Sequence, residues 1–192
     1  MSVSKNNTLL FVISPLIGIE ITASEIIPLQ ASECSISVLK GFEVSDKNIE
    51  KGLLNVAQNT DLKGRWEIIN NSPKTILDVG HNINAFTINI KEIKKITYLK
   101  LRIVIAFVEG KDYKKILKLF PKNAFFYFCQ LKINRALNVD TVFNYSKEIG
   151  LQGIKFLNAN SAYVSCLNES QNEDLVFVCG SNFLISEIIN EK

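Results

Sequence analysis

Residues 75–82, Thr75-Ile76-Leu77-Asp78-Val79-Gly80-His81-Asn82, decide how the rest of the chain is read. A short run dominated by branched apolar residues ends on a carboxylate, a glycine and the only histidine. Asn82 then opens a segment in which Phe86, Ile90 and Ile93 are spaced along one helical face. A near-continuous apolar run that feeds a helix is the pattern of a strand covered on both sides, as in parallel sheets.

The same unit repeats outward from that point. Upstream, Asn70-Asn71-Ser72-Pro73 is a turn by composition, preceded by a short strand over Arg65 to Ile69. Before it, Ser45 can cap a helix running to about Gln58, followed by a connector from Asn59 to Gly64. Downstream, Leu101–Val108, Ala124–Cys129, Ile154–Leu157 and Leu175–Cys179 read as strands. They alternate with helices near Asp112–Phe120, Val139–Ile149, Ser161–Ser170 and Asn182–Ile189. The pattern predicts an α/β domain over residues 42–192, a Rossmann-like three-layer fold. About six mostly parallel strands are expected, with helices on both faces. Residues 1–41 form a poorly defined segment, read as a remnant of another domain that is weakly ordered or docked loosely as an edge element.

Composition narrows the function. The chain has 192 residues, 47% hydrophobic and 21% charged, with a net charge of +3, which is ordinary globular usage. That charge is too small to argue for nucleic acid. The four cysteines, Cys34, Cys129, Cys166 and Cys179, contain no CxxC pair and fit reduced, mostly buried thiols in a cytoplasmic protein. With His81 the only imidazole, no metal site of the usual His/Cys type is expected. Leu9–Ile19 is apolar but includes Ser14, Pro15 and Gly18, and it falls short of the about 20 residues of a membrane span. Lys5 before it imitates a signal peptide, yet only Thr22-Ala23-Ser24 approximates a cleavage site.

In open α/β sheets ligands bind beyond the carboxyl ends of the strands. Three such junctions are polar here: Asp78-Val79-Gly80-His81-Asn82, Glu109-Gly110-Lys111-Asp112, and Gly180-Ser181. Each also has an ordinary structural use, since Asp78 and Asn82 can cap a helix and a lone histidine is commonly a satisfied one. Gly110-Lys111 is not a Walker A loop, because Ile105 stands where its first glycine belongs and Asp112 where Ser or Thr belongs.

Several motifs in order resemble the C-terminal domain of folylpolyglutamate synthase/dihydrofolate synthase, a branch of the Mur ligase superfamily. They are Gly64-Arg65-Trp66-Glu67, Asp78-Val79-Gly80-His81-Asn82, Gly110-Lys111-Asp112, Arg135-Ala136, and the ending from Leu175 to Leu184. The chain departs from the family pattern at Ile83 and Asn134, where proline is usual, and at Gly110, where aspartate is usual. Of the Tyr-Gln-x-x-Asn segment that normally precedes the domain, only Gln30 remains, with Glu33 in the asparagine position.

The resemblance implies an ATP-dependent ligase that adds L-glutamate to a folate or pteroate through an acyl phosphate, with ATP and Mg2+ as cofactors. It places Arg65 and Asp78 on ATP, His81 beside the transferred phosphate as the catalytic residue, and Lys111, Asp112 and Ser181 on the amino-acid side. The family's magnesium and phosphate ligands belong to an ATPase domain, so the chain alone is expected to be inactive and to need a separate ATPase-domain chain. Two alternatives stay open: a non-catalytic ligand-binding or partner module, and the C-terminal domain of a Mur ligase acting on peptidoglycan precursors. Hairpin pairing of the strands around residues 65–79 is also expected to bring Arg65 close to Asp78.

Overall fold

A computed structural model describes residues 41–55, 59–60 and 62–190. The expectations for Leu9–Ile19, Gln30, Glu33 and Cys34 lie outside the described residues. The chain divides into two compact units between Trp66 and Glu67. In the first unit, helix α1 spans Asp46–Leu54. The Ser45 hydroxyl accepts from the Asn48 backbone N–H at 3.4 Å, the capping role expected of it.

The second unit is a sheet of β1 (Glu67–Asn71), β2 (Lys74–Asp78), β3 (Leu101–Ile105), β4 (Phe125–Cys129), β5 (Gln152–Phe156) and β6 (Leu175–Cys179). Its helices are α2 (Ile83–Ile93), α3 (Tyr113–Leu117), α4 (Val139–Glu148), α5 (Ala159–Glu169) and α6 (Asn182–Asn190). The strand order is β1-β2-β6-β3-β4-β5. Only β1 is antiparallel to its neighbour; β2, β6, β3, β4 and β5 run parallel. The α/β expectation of about six mostly parallel strands therefore holds.

Side-chain alternation along the strands builds two cores. Leu77, Val104, Tyr127 and Val178 pack with Ala162 and Cys166 of α5 and with Leu184 and Ile188 of α6. On the opposite face, Phe86 of α2 meets Phe120 edge-on at 5.6 Å, and Phe120 meets Phe126 at 5.4 Å. Farther along, Phe128 meets Phe143 of α4 at 5.9 Å. The outward crossovers β2→β3→β4→β5 thus place their helices on one face. The return from β5 to β6 uses the other, as right-handed connections require.

Several element ends differ from expectation, among them that of β3, which stops at Ile105 rather than Val108; three of the differences have identifiable reasons. Strand β1 begins at Glu67 rather than Arg65, because Trp66 has φ 50°, in the left-handed region and incompatible with a strand. Strand β5 begins two residues early, at Gln152. Gly153 allows it, since a Cβ there would lie 2.4 Å from the Phe126 carbonyl oxygen of β4. Helix α3 is shorter than expected, because Leu119 and Phe120 bond back three residues, to Ile116 and Leu117, in a tightened last turn.

Candidate functional site

Strand β6 lies between β2 and β3, with Asp78, Cys179 and Ile105 in one row across the three strands. From that row β2 and β3 lead to helices on one face and β6 leads to α6 on the other. Such a reversal opens a crevice beyond the carboxyl ends. Asp78 and Ile105 are two strand spacings apart, about 10 Å. Three of the polar junctions expected from the sequence therefore converge on one region.

At the first junction, Asp78 is buried at 3% exposure. Its Oδ1 accepts from the Gly80 backbone N–H at 2.8 Å and from Asn89 Nδ2 at 2.7 Å. Gly80 is required by this packing, because a Cβ there would sit 2.6 Å from Asp78 Oδ1. His81 is exposed, and its Nδ1 lies 3.1 Å from the Val79 carbonyl oxygen. Asn82 caps α2 by accepting from the Ala85 N–H at 2.9 Å.

At the β6 junction, Gly180 has φ 111°, and an added Cβ would lie 2.3 Å from the Ala106 carbonyl oxygen. The absent side chain is what lets the β6 turn lie against the backbone that leaves β3. Ser181 is buried at 2% exposure, and its hydroxyl accepts from the Phe183 N–H at 3.2 Å, opening α6. At the β3 junction, Lys111 is half-buried. Asp112 caps α3 through the Lys115 N–H at 3.2 Å and pairs with Lys115 Nζ at 2.7 Å. The bond and charge of Lys115 hold the Asp112 carboxyl below its ordinary range.

The loop after β4 is stitched to the same region. Glu109 donates its N–H to the Arg135 carbonyl at 2.9 Å, and Leu137 donates to Phe107 at 2.9 Å. The Arg135 guanidinium stands over the Phe183 ring at 5.2 Å, beside the start of α6. Arg135 was read only as part of a motif, yet it belongs to this cluster of loops. Asn89 was not singled out at all. Its signal was available: a polar residue in the slot between Phe86 and Ile90 on the buried face of α2. Arg65, in the first unit, is exposed.

Among the described residues no group of three or more His, Cys, Asp or Glu side chains gathers to hold a metal ion. No helix among the described residues is long and apolar enough to cross a membrane. Cys129, Cys166 and Cys179 are free and buried, as expected of reduced thiols.

The model of the family "Mur ligase, glutamate ligase domain" matches residues 64–182. The chain belongs to that family. The match takes in the β2, β3 and β6 junctions together, so the crevice is a feature of this glutamate ligase domain. The domain is similar to dihydrofolate synthase/folylpolyglutamate synthase of Buchnera aphidicola from Schizaphis graminum, 28% identical over 171 residues. That alignment covers 86% of this chain and 39% of the relative. The Escherichia coli protein of the same name is 26% identical over 170 residues, covering 85% and 38%. The chain thus spans well under half the length of these curated relatives.

Solved structures agree on the fold. Mycobacterium tuberculosis folylpolyglutamate synthase, complexed with ADP and AMPPCP, matches with a TM-score of 0.68 at 16% identity, covering 81% of this chain and 37% of that one. The bifunctional synthase of Yersinia pestis, complexed with AMPPNP and Mn ion, matches with a TM-score of 0.67 at 23% identity, covering 77% and 34%.

Proposed function

We propose that this domain forms one wall of the active cleft of an ATP-dependent carboxylate–amine ligase of the dihydrofolate synthase/folylpolyglutamate synthase kind. In that reaction the γ-phosphoryl group of ATP passes to a carboxylate of a folate or pteroate, giving an acyl phosphate and ADP. The amine of L-glutamate attacks the acyl carbon, an amide forms, and phosphate leaves. Charge on the transferring group is neutralised by Mg2+ and a lysine-bearing loop, and positioning does the rest. Both belong to an ATPase domain, supplied by a separate chain or by further sequence.

The observation that carries this reading is the convergence of three polar strand ends at a chain reversal inside the family match. Asp78 and the Gly80-His81 turn stand on one side and Ser181 on the other, with the Lys111 loop beside β6. Arg65 and Asp78 serve the nucleotide. His81 serves the transferred phosphate, its Nε2 exchanging a proton with it while Nδ1 is held by the Val79 carbonyl. Lys111, Asp112 and Ser181 serve the amino acid: Lys111 by charge, the other two by fixing the helix starts they cap. The site of action is the cytoplasm.

The purified chain should bind ADP by calorimetry but form no amide from ATP, L-glutamate and dihydropteroate or tetrahydrofolate. Adding a P-loop ATPase domain of this ligase kind should restore turnover. Turnover by the chain alone, lost in His81→Ala, would overturn the division of labour, and absence of ADP binding would overturn the nucleotide assignment.

A further inference from the structure

The crevice contains a buried contact that neither the capping pattern nor the reaction requires. Asn89 lies one and a half turns into α2 from its start and is 2% exposed. Its Nδ2 donates to Asp78 Oδ1 at 2.7 Å. The same oxygen accepts from the Gly80 N–H at 2.8 Å, which closes the turn from Asp78 to Gly80. That turn fixes the Val79 carbonyl, whose oxygen lies 3.1 Å from His81 Nδ1. A carbonyl oxygen only accepts, so this geometry puts the proton on Nδ1 and leaves the neutral ring's lone pair on Nε2.

We propose that Asn89 is a positioning residue that acts through Asp78 and the Gly80 turn to hold His81 as its Nδ1–H tautomer. The proposal rests on the reading of His81 as the group facing the transferred phosphate. An amide is the side chain that suits the place. A carboxylate needs donors when buried, and leucine would leave Asp78 Oδ1 with one donor fewer while aspartate would set two charges together. The room is tight: a Cβ on Gly80 would come within 3.1 Å of Asn89 Nδ2 and 3.1 Å of the Ala85 Cβ. Once Asn89 is removed, the carboxylate turns toward water, the turn loosens, and His81 is free to take the Nε2–H form that unrestrained imidazoles favour.

His81 is the chain's only histidine, so its ring nitrogens give one unambiguous signal set in a ¹⁵N spectrum of the full chain. With the ring in its neutral form, the unmodified chain should show a protonated Nδ1 and an unprotonated Nε2. Asn89→Leu should invert or average the two shifts. Ile93→Ala, which thins the same buried helix face without touching Asp78, should leave them unchanged although it lowers stability. Should Asn89→Leu fail to fold by circular dichroism, Asn89→Ala carries the same readout. A proton on Nε2 in the unmodified chain, or shifts unmoved by loss of Asn89, would overturn the proposal. Titration with ADP separates the two readings. If ADP binds the unmodified chain but loss of Asn89 leaves the tautomer intact, positioning fails and the nucleotide site stands. If the tautomer responds to Asn89 but ADP does not bind, positioning stands and the nucleotide site fails.

Discussion

At the amino end of the sheet, Arg102 donates from Nε to Asp174 Oδ2 at 2.7 Å and from Nη1 to the Tyr127 hydroxyl at 2.7 Å. Tyr127 in turn donates to Glu169 Oε2 at 2.9 Å. At the carboxyl end, Asp78 is equally buried but is met by neutral N–H donors from a turn and an amide. The first site closes charge upon charge, and its side chains face one another across β3, β4, α5 and the start of β6. The second holds a turn, and that turn carries an exposed imidazole. Buried polarity alone therefore does not mark a functional site. What distinguishes the carboxyl end is that its bonds shape a turn that presents an imidazole, whereas the amino-end chain closes on the Glu169 carboxylate.

The sharpest break in that contrast is Arg102→Met. Removing one partner of a buried charged network leaves Asp174 uncompensated, and the loss should be about 3–5 kcal/mol by urea denaturation. Adding Asp174→Asn should recover a large part of it. The His81 ring signals should stay where they were in any fraction that remains folded. Loss of only a few tenths of a kcal/mol would mean the network is not what ties the amino end together.

Gly180→Ala comes next and strikes the carboxyl end. Its φ of 111° is strained for any side chain, and the new Cβ would meet the Ala106 carbonyl oxygen at 2.3 Å. A loss of about 1–3 kcal/mol is expected. Because the strain falls between β6 and β3, ADP binding should weaken along with stability, unlike the effect of the amino-end variant. Unchanged ADP binding would detach the β6 turn from the site.

These two substitutions also separate what the sequence discloses from what it does not. Strands β3 and β6 are legible because each is an almost uninterrupted apolar run, and the polar residues after them stand out against it. The position of β6 between β2 and β3 is not legible. Pairing of Leu77 with Val178 and of Val104 with Val178 joins segments far apart in the chain, and periodicity carries no partner information. The Arg102–Asp174 pair is hidden for the same reason: it spans 72 residues, and Arg102 sits second in an otherwise apolar strand. His81, Asp78 and Ser181 stand out in the sequence because they lie at the carboxyl ends of apolar strands. Asn89 does not, because Phe86, Ile90 and Ile93 make its helix face read as merely apolar.

Alkaline pH probes the amino end more gently. Burial raises the Cys166 thiol from 9.0 to about 12, beside Arg102, Glu169 and Asp174. The folded pKa is the higher one, so the stabilisation is complete below pH 9 and is lost as pH rises from 9 toward 12. At about pH 10 the unfolded thiol has ionised and the folded one has not, a loss on the order of 1 kcal/mol from this group. Cys166→Ala should therefore lose less stability between pH 8 and 10 than the unmodified chain does, by about that amount. Burial also raises Cys129 and Cys179, and their slopes should persist in the variant. An identical pH dependence in the two proteins would show that Cys166 ionises as freely folded as unfolded.

The smallest expected effect on stability is also the one on which the contrast depends. His81 is exposed and makes a single bond, to the Val79 carbonyl at 3.1 Å. An exposed side chain of that kind contributes little to folding, so His81→Ala should keep stability within about 0.5 kcal/mol of the unmodified chain. The Asp78, Gly80 and Asn89 bonds do not pass through the imidazole and should survive its removal. Turnover in the reconstituted ligase should nonetheless collapse, because the role proposed for the imidazole is to exchange a proton with the transferred phosphate. A stability loss above about 1 kcal/mol would put His81 in the same class as Arg102, a partner in internal packing. Full turnover with unchanged stability would instead leave the imidazole outside the chemistry, and the outward-facing turn would then serve binding alone.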